Sequence, residues 1–112
     1  MVKLTVLVKR HPRLDVDAFH VAWRAHGRMI AADPALRKHI RRYEQHHRVP
    51  ADYRSGDTFD GLVIQWFDSY RDFAAMVGDP VYLERVRPDE ERLLDMDALV
   101  VLFTDEAEVF IP

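Results

Sequence analysis

DVDAFHVAWRAHGRMI, residues 15–30, repeats its apolar side chains with the period of a helix. Phe19, Ala22, Trp23, His26 and Ile30 recur at i, i+3, i+4 and i+7, giving one buried stripe interrupted by a single imidazole. Asp15 is placed to cap this helix, and Asp17 adds a carboxylate to the first turn, where the helix dipole favours it. His20, Arg24 and Arg28 fall on the remaining faces and are expected in water. Gly27 follows His26 directly and predicts a bend or loosening there. An ionisable ring on an apolar stripe is costly to bury without a partner or a task. Two readings of His26 therefore stand: a core histidine bonded to a backbone carbonyl, and a functional group.

The segments on either side supply the rest of a sheet. Upstream, Val2 to Arg10 alternates, with Val2, Leu4, Val6 and Val8 on one face and Lys3, Thr5, Leu7 and Lys9 on the other. Leu7 among the polar set implies that both faces are partly covered. His11-Pro12-Arg13 ends the strand, because proline cannot donate to the ladder. Downstream, Asp33-Pro34 marks a turn. IRRYEQHHRV, residues 40–49, is compatible with a strand or a helix. As a strand it sets Arg41, Tyr43, Gln45 and His47 on one face and Arg42, Glu44, His46 and Arg48 on the other. Pro50 to Thr58 has the composition of a mobile surface loop that could cover a pocket. FDGLVIQWF, residues 59–67, is the strongest strand, apolar on both faces.

Ser69 with Asp72 three residues later predicts a capping-box start for a second helix carrying Tyr70, Phe73, Ala74, Met76 and Val77 inward. Gly78-Asp79-Pro80 ends it. Val81 to Leu94 is a further helical stretch interrupted by Pro88, with Leu83, Val86, Leu93 and Leu94 as core contacts. Leu99 to Phe103 reads as the last core strand. The apolar trio Val109, Phe110 and Ile111 near the end is expected to dock on this chain or on a partner.

The 112 residues, 48% of them hydrophobic, suit a single domain spanning 1–112. A net charge of -3 argues against a general nucleic-acid binder, and Arg37-Lys38 with Arg41-Arg42 reads as a solvated edge. The absence of cysteine excludes thiolate chemistry and fits a reducing cytoplasm. No run has membrane-spanning length, so neither a membrane nor a nucleic acid is expected as a partner. The order strand, helix, strand, strand, helix, strand predicts an α+β, ferredoxin-like βαββαβ fold with an antiparallel sheet and helices on one face. The other face would then expose a large apolar patch, which predicts a homodimer through the open sheet face.

KLTVLVKR, the helix motif F-x-x-x-W-x-x-H-G, RRYEQHHRV and the DGLVIQWF-D-S junction together resemble the EthD family, in the same order and from about Lys3 to Val109. The resemblance implies a dimeric α+β barrel. It also implies cofactor-free chemistry on aromatic or polyketide-like carbonyl compounds, with pockets between sheet and helices. The family's histidine before glycine corresponds to His26, its strand tyrosine to Tyr43, its following histidine to His47, and its Asp-Gly strand opening to Asp60 and Gly61. One departure is Ile64, where many relatives carry an acid.

On the residues themselves, His26, Tyr43, Gln45 and His47 can converge on one cavity walled by Trp23, Trp66 and Phe67. Histidine suits proton transfer near neutral pH, and a tyrosine hydroxyl can donate to an oxygen that gains charge. That pair suffices to abstract a proton α to a carbonyl, opening cyclisation, dehydration or isomerisation. The expected catalytic set is His26, Tyr43, His47 and Asp60, with Trp23, Gln45, Trp66 and Phe67 binding substrate and neither metal nor cofactor. Each has a plainer role open to it: Tyr43 and the tryptophans as core, Asp60 as the partner of an arginine, and His11 and His20 as surface residues. The alternatives are a non-catalytic small-molecule binding dimer and a cofactor-free or haem-linked oxygenase. No H-x-x-x-H or H-E-x-x-H spacing points to a metal enzyme.

Overall fold

The computed structural model describes residues 1–56 and 58–112. Four strands, β1 (Val2–Val8), β2 (Arg42–His47), β3 (Gly61–Phe67) and β4 (Val100–Thr104), form one sheet in the order β2-β3-β1-β4, antiparallel throughout. Each helical connection therefore crosses a strand, the split arrangement expected of a ferredoxin-like fold. The register places Thr5 opposite Ile64 on one side and Leu102 on the other, while Leu4 faces Gln65 and Phe103. One face carries Leu4, Val8, Val63 and Phe67, all buried under the helices. Leu7, Leu62, Ile64, Trp66 and Leu102 share the opposite face, which no helix among the described residues covers. β4 is consequently not a core strand: it is an open edge, with Val100 48% and Leu102 61% exposed.

Helix α1 (Val16–Ala32) buries Phe19, Trp23, His26 and Ile30 against the sheet, and the Asp15 carboxylate accepts from the Ala18 N–H at 2.8 Å as its cap. Each large apolar side chain so buried contributes about 1.5–3 kcal/mol. α1 runs on through Gly27 to Ala32. A Cβ there would stand 2.7 Å from Gln45 Nε2 and 3.3 Å from the Tyr43 ring, so this glycine permits close approach of β2. Asp33 ends α1 and caps the short α2 (Pro34–Arg37), which buries Leu36. β2 takes the strand reading because β3 offers it a ladder, overriding weak propensity. As an edge strand it carries Arg42, Glu44 and His46 outward, a charged row that discourages edge-to-edge pairing.

Within the segment expected as a surface loop, Pro50–Ser55 forms a 3₁₀ helix; Asp57 lies outside the described residues. Helix α3 (Tyr70–Val77) starts at Ser69, but the serine hydroxyl donates to the Asp72 carboxylate at 3.0 Å and caps no backbone N–H. Beyond Gly78 the chain makes a π turn (Tyr82–Val86) leading into α4 (Arg87–Leu93). Pro88 has no N–H for the regular ladder, and the Arg87 N–H bonds five residues back to the Tyr82 carbonyl. The wider turn rotates Tyr82 inward and leaves Leu83 53% exposed, reversing the expectation for Leu83. Val109, Phe110 and Ile111 do not dock on the described residues of this chain, being 69%, 88% and 90% exposed.

Gly61 marks the tightest point of the fold. Paired with Val8 and His47, it lies so close that a Cβ would strike the His46 carbonyl oxygen and the Trp23 ring at 2.8 Å. Gly61→Ala should cost about 2–3 kcal/mol and lower the thermal midpoint by roughly 10 °C. Gly78→Ala, where the nearest atom is 3.4 Å away, should leave it little changed. Equal midpoints for the two variants, measured by circular dichroism, would show that Gly61 is not held by packing.

Candidate functional site

The helix-side core divides into two clusters, one around Leu4, Ile30, Leu36, Phe67, Met76 and Val86, the other around Val8, Phe19, Trp23, Val63, Leu93 and Leu94. Tyr43 and Val6 pack against both. Residues of both clusters line a cavity of about 170 Å³ between sheet and helices. Its walls are mostly aliphatic, and the polar residues reaching it are His26, Tyr43, Gln65, Tyr82, Arg87 and Glu90.

His26 comes from α1, and its Nδ1 lies 2.6 Å from the Asp89 carboxylate on α4. Arg92 steadies that carboxylate from the other side, donating to Asp89 at 3.1 Å. A carboxylate on Nδ1 fixes the ring and its tautomer. Nε2 is left without a hydrogen-bond partner among the described residues, on a ring that lines the cavity. The structure thus rejects a backbone-bonded core histidine and supplies an imidazole oriented by an acid.

Glu90 follows Asp89 and enters the cavity from the first turn of α4. Tyr82 donates to its Oε1 at 2.6 Å, and Arg87 Nε lies 3.2 Å from the same oxygen. Burial holds the Glu90 carboxyl above the usual carboxylate range, with the Tyr82 hydrogen bond and the nearby His26 and Arg87 charges pulling it part of the way back. Burial likewise pushes the Tyr43 hydroxyl up to about 12, so it remains a neutral phenol at neutral pH. Gln45 Nε2 donates to the Tyr43 oxygen at 3.1 Å. The phenolic proton has no acceptor among the described residues.

Of the residues expected at the site, His26, Tyr43 and Trp23 line this cavity. Gln45 lies behind Tyr43, donating also to the Trp23 carbonyl at 2.7 Å. His47 sits farther along β2, its ring 4.4 Å from Trp23 between centroids. Trp66 points to the outer face of the sheet, under Lys3 and Arg42. Phe67 is fully buried against Phe73 of α3. Ile64 also faces outward, so an acid at that position would not reach this cavity; the carboxyl here comes from Glu90. His20 is half-buried and not simply solvated: its Nδ1 lies 2.6 Å from His47 Nδ1 and its Nε2 3.0 Å from the Tyr53 hydroxyl.

Asp60 has no exposure and lies outside the cavity. Its carboxylate accepts from the Arg10 N–H at 2.7 Å, the Arg10 guanidinium at 2.8 Å and the Tyr53 hydroxyl at 2.6 Å. Tyr82, Arg87, Asp89, Glu90 and Gln65 were not anticipated from the sequence. The acidic pair after Pro88 was the available signal for α4, but only the tertiary arrangement shows which of its faces meets α1. Among the described residues no three His, Asp or Glu side chains converge as metal ligands, and no helix is long and apolar enough to cross a membrane.

A family model described as EthD domain matches residues 11–97. No curated protein matches the chain. Among solved structures, the chain is similar to a dimeric protein of unknown function with a ferredoxin-like fold from Bacteroides fragilis NCTC 9343, with 19% identity over 94% of this chain and 95% of that one and a TM-score of 0.71. It is similar to a dimeric ferredoxin-like protein of unknown function from Thermobifida fusca YX, with 14% identity, coverage of 92% and 88%, and a TM-score of 0.65. It is also similar to SnoaB, described as a cofactor-independent oxygenase from Streptomyces nogalater, with 11% identity, coverage of 97% and 95%, and a TM-score of 0.63. At these identities the likeness establishes the fold.

The position of Asp60 yields a direct expectation. Asp60→Ala removes the acceptor shared by the Arg10 guanidinium, the Arg10 N–H and the Tyr53 hydroxyl and should cost about 3 kcal/mol of unfolding free energy. Urea denaturation measures it; a loss under 1 kcal/mol would mean that Arg10 and Tyr53 find other partners.

Proposed function

The chain belongs to the EthD domain family, and we propose that it is an acid/base enzyme that needs no cofactor and abstracts a proton α to the carbonyl of a small aromatic or polyketide-like compound. The observation that carries this reading is the His26 ring, held on Nδ1 by Asp89 with Nε2 unpartnered at the cavity. Nε2 takes the proton from carbon, and Asp89 stabilises the imidazolium that results. The Tyr43 hydroxyl donates to the carbonyl oxygen as the enolate forms. To Glu90, whose pKa burial raises, we assign the return of a proton to the enolate or to a leaving hydroxyl. The proton removed and the proton returned balance for an isomerisation; loss of hydroxide together with the returned proton as water gives a dehydration.

The size of the cavity supports a substrate whose reacting part is a single ring. At about 170 Å³ it compares with the roughly 150 Å³ apolar cavity that takes up benzene. The test is hydrogen–deuterium exchange α to the carbonyl in a panel of one-ring ketones in D₂O, followed by NMR. His26→Ala should slow exchange about 10²–10⁴-fold while leaving the circular dichroism spectrum intact. Binding without exchange would favour the non-catalytic binding dimer, and exchange that survives His26→Ala would remove this histidine from the mechanism.

We further propose a homodimer through the outer sheet face, where Leu7, Leu62, Ile64 and Leu102 form an uncovered apolar surface. The two structural relatives described as dimeric support it. Sedimentation should give twice the 13.2 kDa chain mass. Ile64→Asp, at the middle of that face, should give a monomer; a monomeric wild type would refute the assembly.

A further inference from the structure

Beside the cavity a row of hydrogen bonds runs from Tyr43 to Asp60, and its ends fix the direction of every bond in it. At one end Gln45 Nε2 lies 2.7 Å from the Trp23 carbonyl, which can only accept. The amide is therefore oriented with Oε1 toward His47, and Oε1 accepts from His47 Nε2 at 2.9 Å. At the other end the Asp60 carboxylate, paired with Arg10, accepts from the Tyr53 hydroxyl at 2.6 Å. Tyr53 has then given its only hydrogen, and its oxygen must accept from His20 Nε2 at 3.0 Å.

Both Nε2 atoms are thus donors. In neutral imidazoles each Nδ1 would then be a bare acceptor, and the two would face each other lone pair to lone pair at 2.6 Å. Between two acceptor ends, the contacts Gln45–His47, His47–His20, His20–Tyr53 and Tyr53–Asp60 need four hydrogens. Two neutral rings and one phenol bring three.

We infer that His20 and His47 bind one extra proton between their Nδ1 atoms, forming an imidazole–imidazolium pair that locks the Gln45 amide and so keeps the Tyr43 hydroxyl free to donate into the cavity. The last clause rests on the role proposed above for Tyr43; the proton count does not. If the pair loses this proton, one of the four contacts must give way. Where His47 donates from Nδ1 to His20, its Nε2 becomes an acceptor facing Gln45 Oε1, and the amide keeps only its bonds to Trp23 and Tyr43. The pair would thereby set how firmly the amide behind the Tyr43 hydroxyl is held.

Burial lowers the pKa of both rings, that of His47 to about 4, and Arg24 on α1 lowers both further, as does the facing ring for His47. Asp60 and Asp17 act the other way on His20, and Asp60 is itself partnered by Arg10. These surroundings disfavour a second proton strongly, and the first is held by the short Nδ1–Nδ1 hydrogen bond and not by them. Arg48 stacks on Tyr53, 4.5 Å from its ring centroid, and adds a further positive charge at that end. Two interacting rings titrate as a unit, in two separated steps.

The test uses the full chain labelled with ¹⁵N and long-range ¹H–¹⁵N correlation of the imidazole nitrogens at neutral pH. Expected are hydrogens on Nε2 of both His20 and His47, a shared, averaged shift for the two Nδ1 atoms, and dispersed signals for the Gln45 NH₂ group. His20→Phe, which keeps a ring but no acceptor, should abolish the shared proton and collapse the Gln45 dispersion; His47→Gln, read at His20, serves if His20→Phe does not fold. A hydrogen-free Nε2 on either ring in the folded wild type would overturn the inference, as would unchanged His47 signals in His20→Phe. Turnover plays no part in this readout, so it stands or falls separately from the catalytic reading.

Discussion

A carboxylate with no access to water sits where β1 ends and β3 begins. Burying Asp60 is tolerable only because every direction around it is satisfied: the Arg10 guanidinium and N–H, the Tyr53 hydroxyl, and a backbone bond from its own N–H to Val8 at 2.9 Å. These bonds tie the end of β1, the start of β3 and the 3₁₀ helix of Pro50–Ser55 to one point. They also fix the register in which Val8 meets Gly61, and with it the close packing of Trp23 on that glycine. From there α1 is set against the sheet, and His26 falls opposite α4.

Two polar systems lie side by side on this frame. One is short and aimed at the cavity: Arg92 to Asp89 to His26, with Glu90 and Tyr82 across from it. The other is long and aimed away from it, from Tyr43 through Gln45, His47, His20 and Tyr53 to Asp60. Tyr43 belongs to both, since its ring packs against both apolar clusters and its hydroxyl terminates the long row. In a cavity with few polar groups, the direction of one hydroxyl decides whether a carbonyl oxygen is bound or repelled.

The sequence makes β1, β3, the cap at Asp15 and the inward stripe of α1 with Trp23 and His26 legible, because period and local chemistry determine them. β2, and Tyr43 with it, stays between strand and helix until β3 supplies the ladder. What the sequence could not give was contact across elements. His20 looked solvated on a helical projection because nothing local shows that β2 lies beside it. Tyr82 and Glu90 were hidden by the π turn, which shifts the inward face by one residue ahead of Pro88. Trp66 and Phe67 cannot both wall one cavity, because strand parity sends neighbours to opposite faces. Gly27 was read through its flexibility, whereas its role is the space it leaves for Gln45.

The seam between the two apolar clusters also bears on how long the molecule lasts. A chain of this size has one small core, and here its two clusters meet at a cavity lined mostly with aliphatic carbon. A compound that occupies the seam restores the missing contacts and acts as a removable piece of the interior. Occupancy then lowers the population of open, protease-sensitive forms by mass action. The supply of the small molecule would in that way set the amount of protein that persists in the cell, in addition to the flux through it.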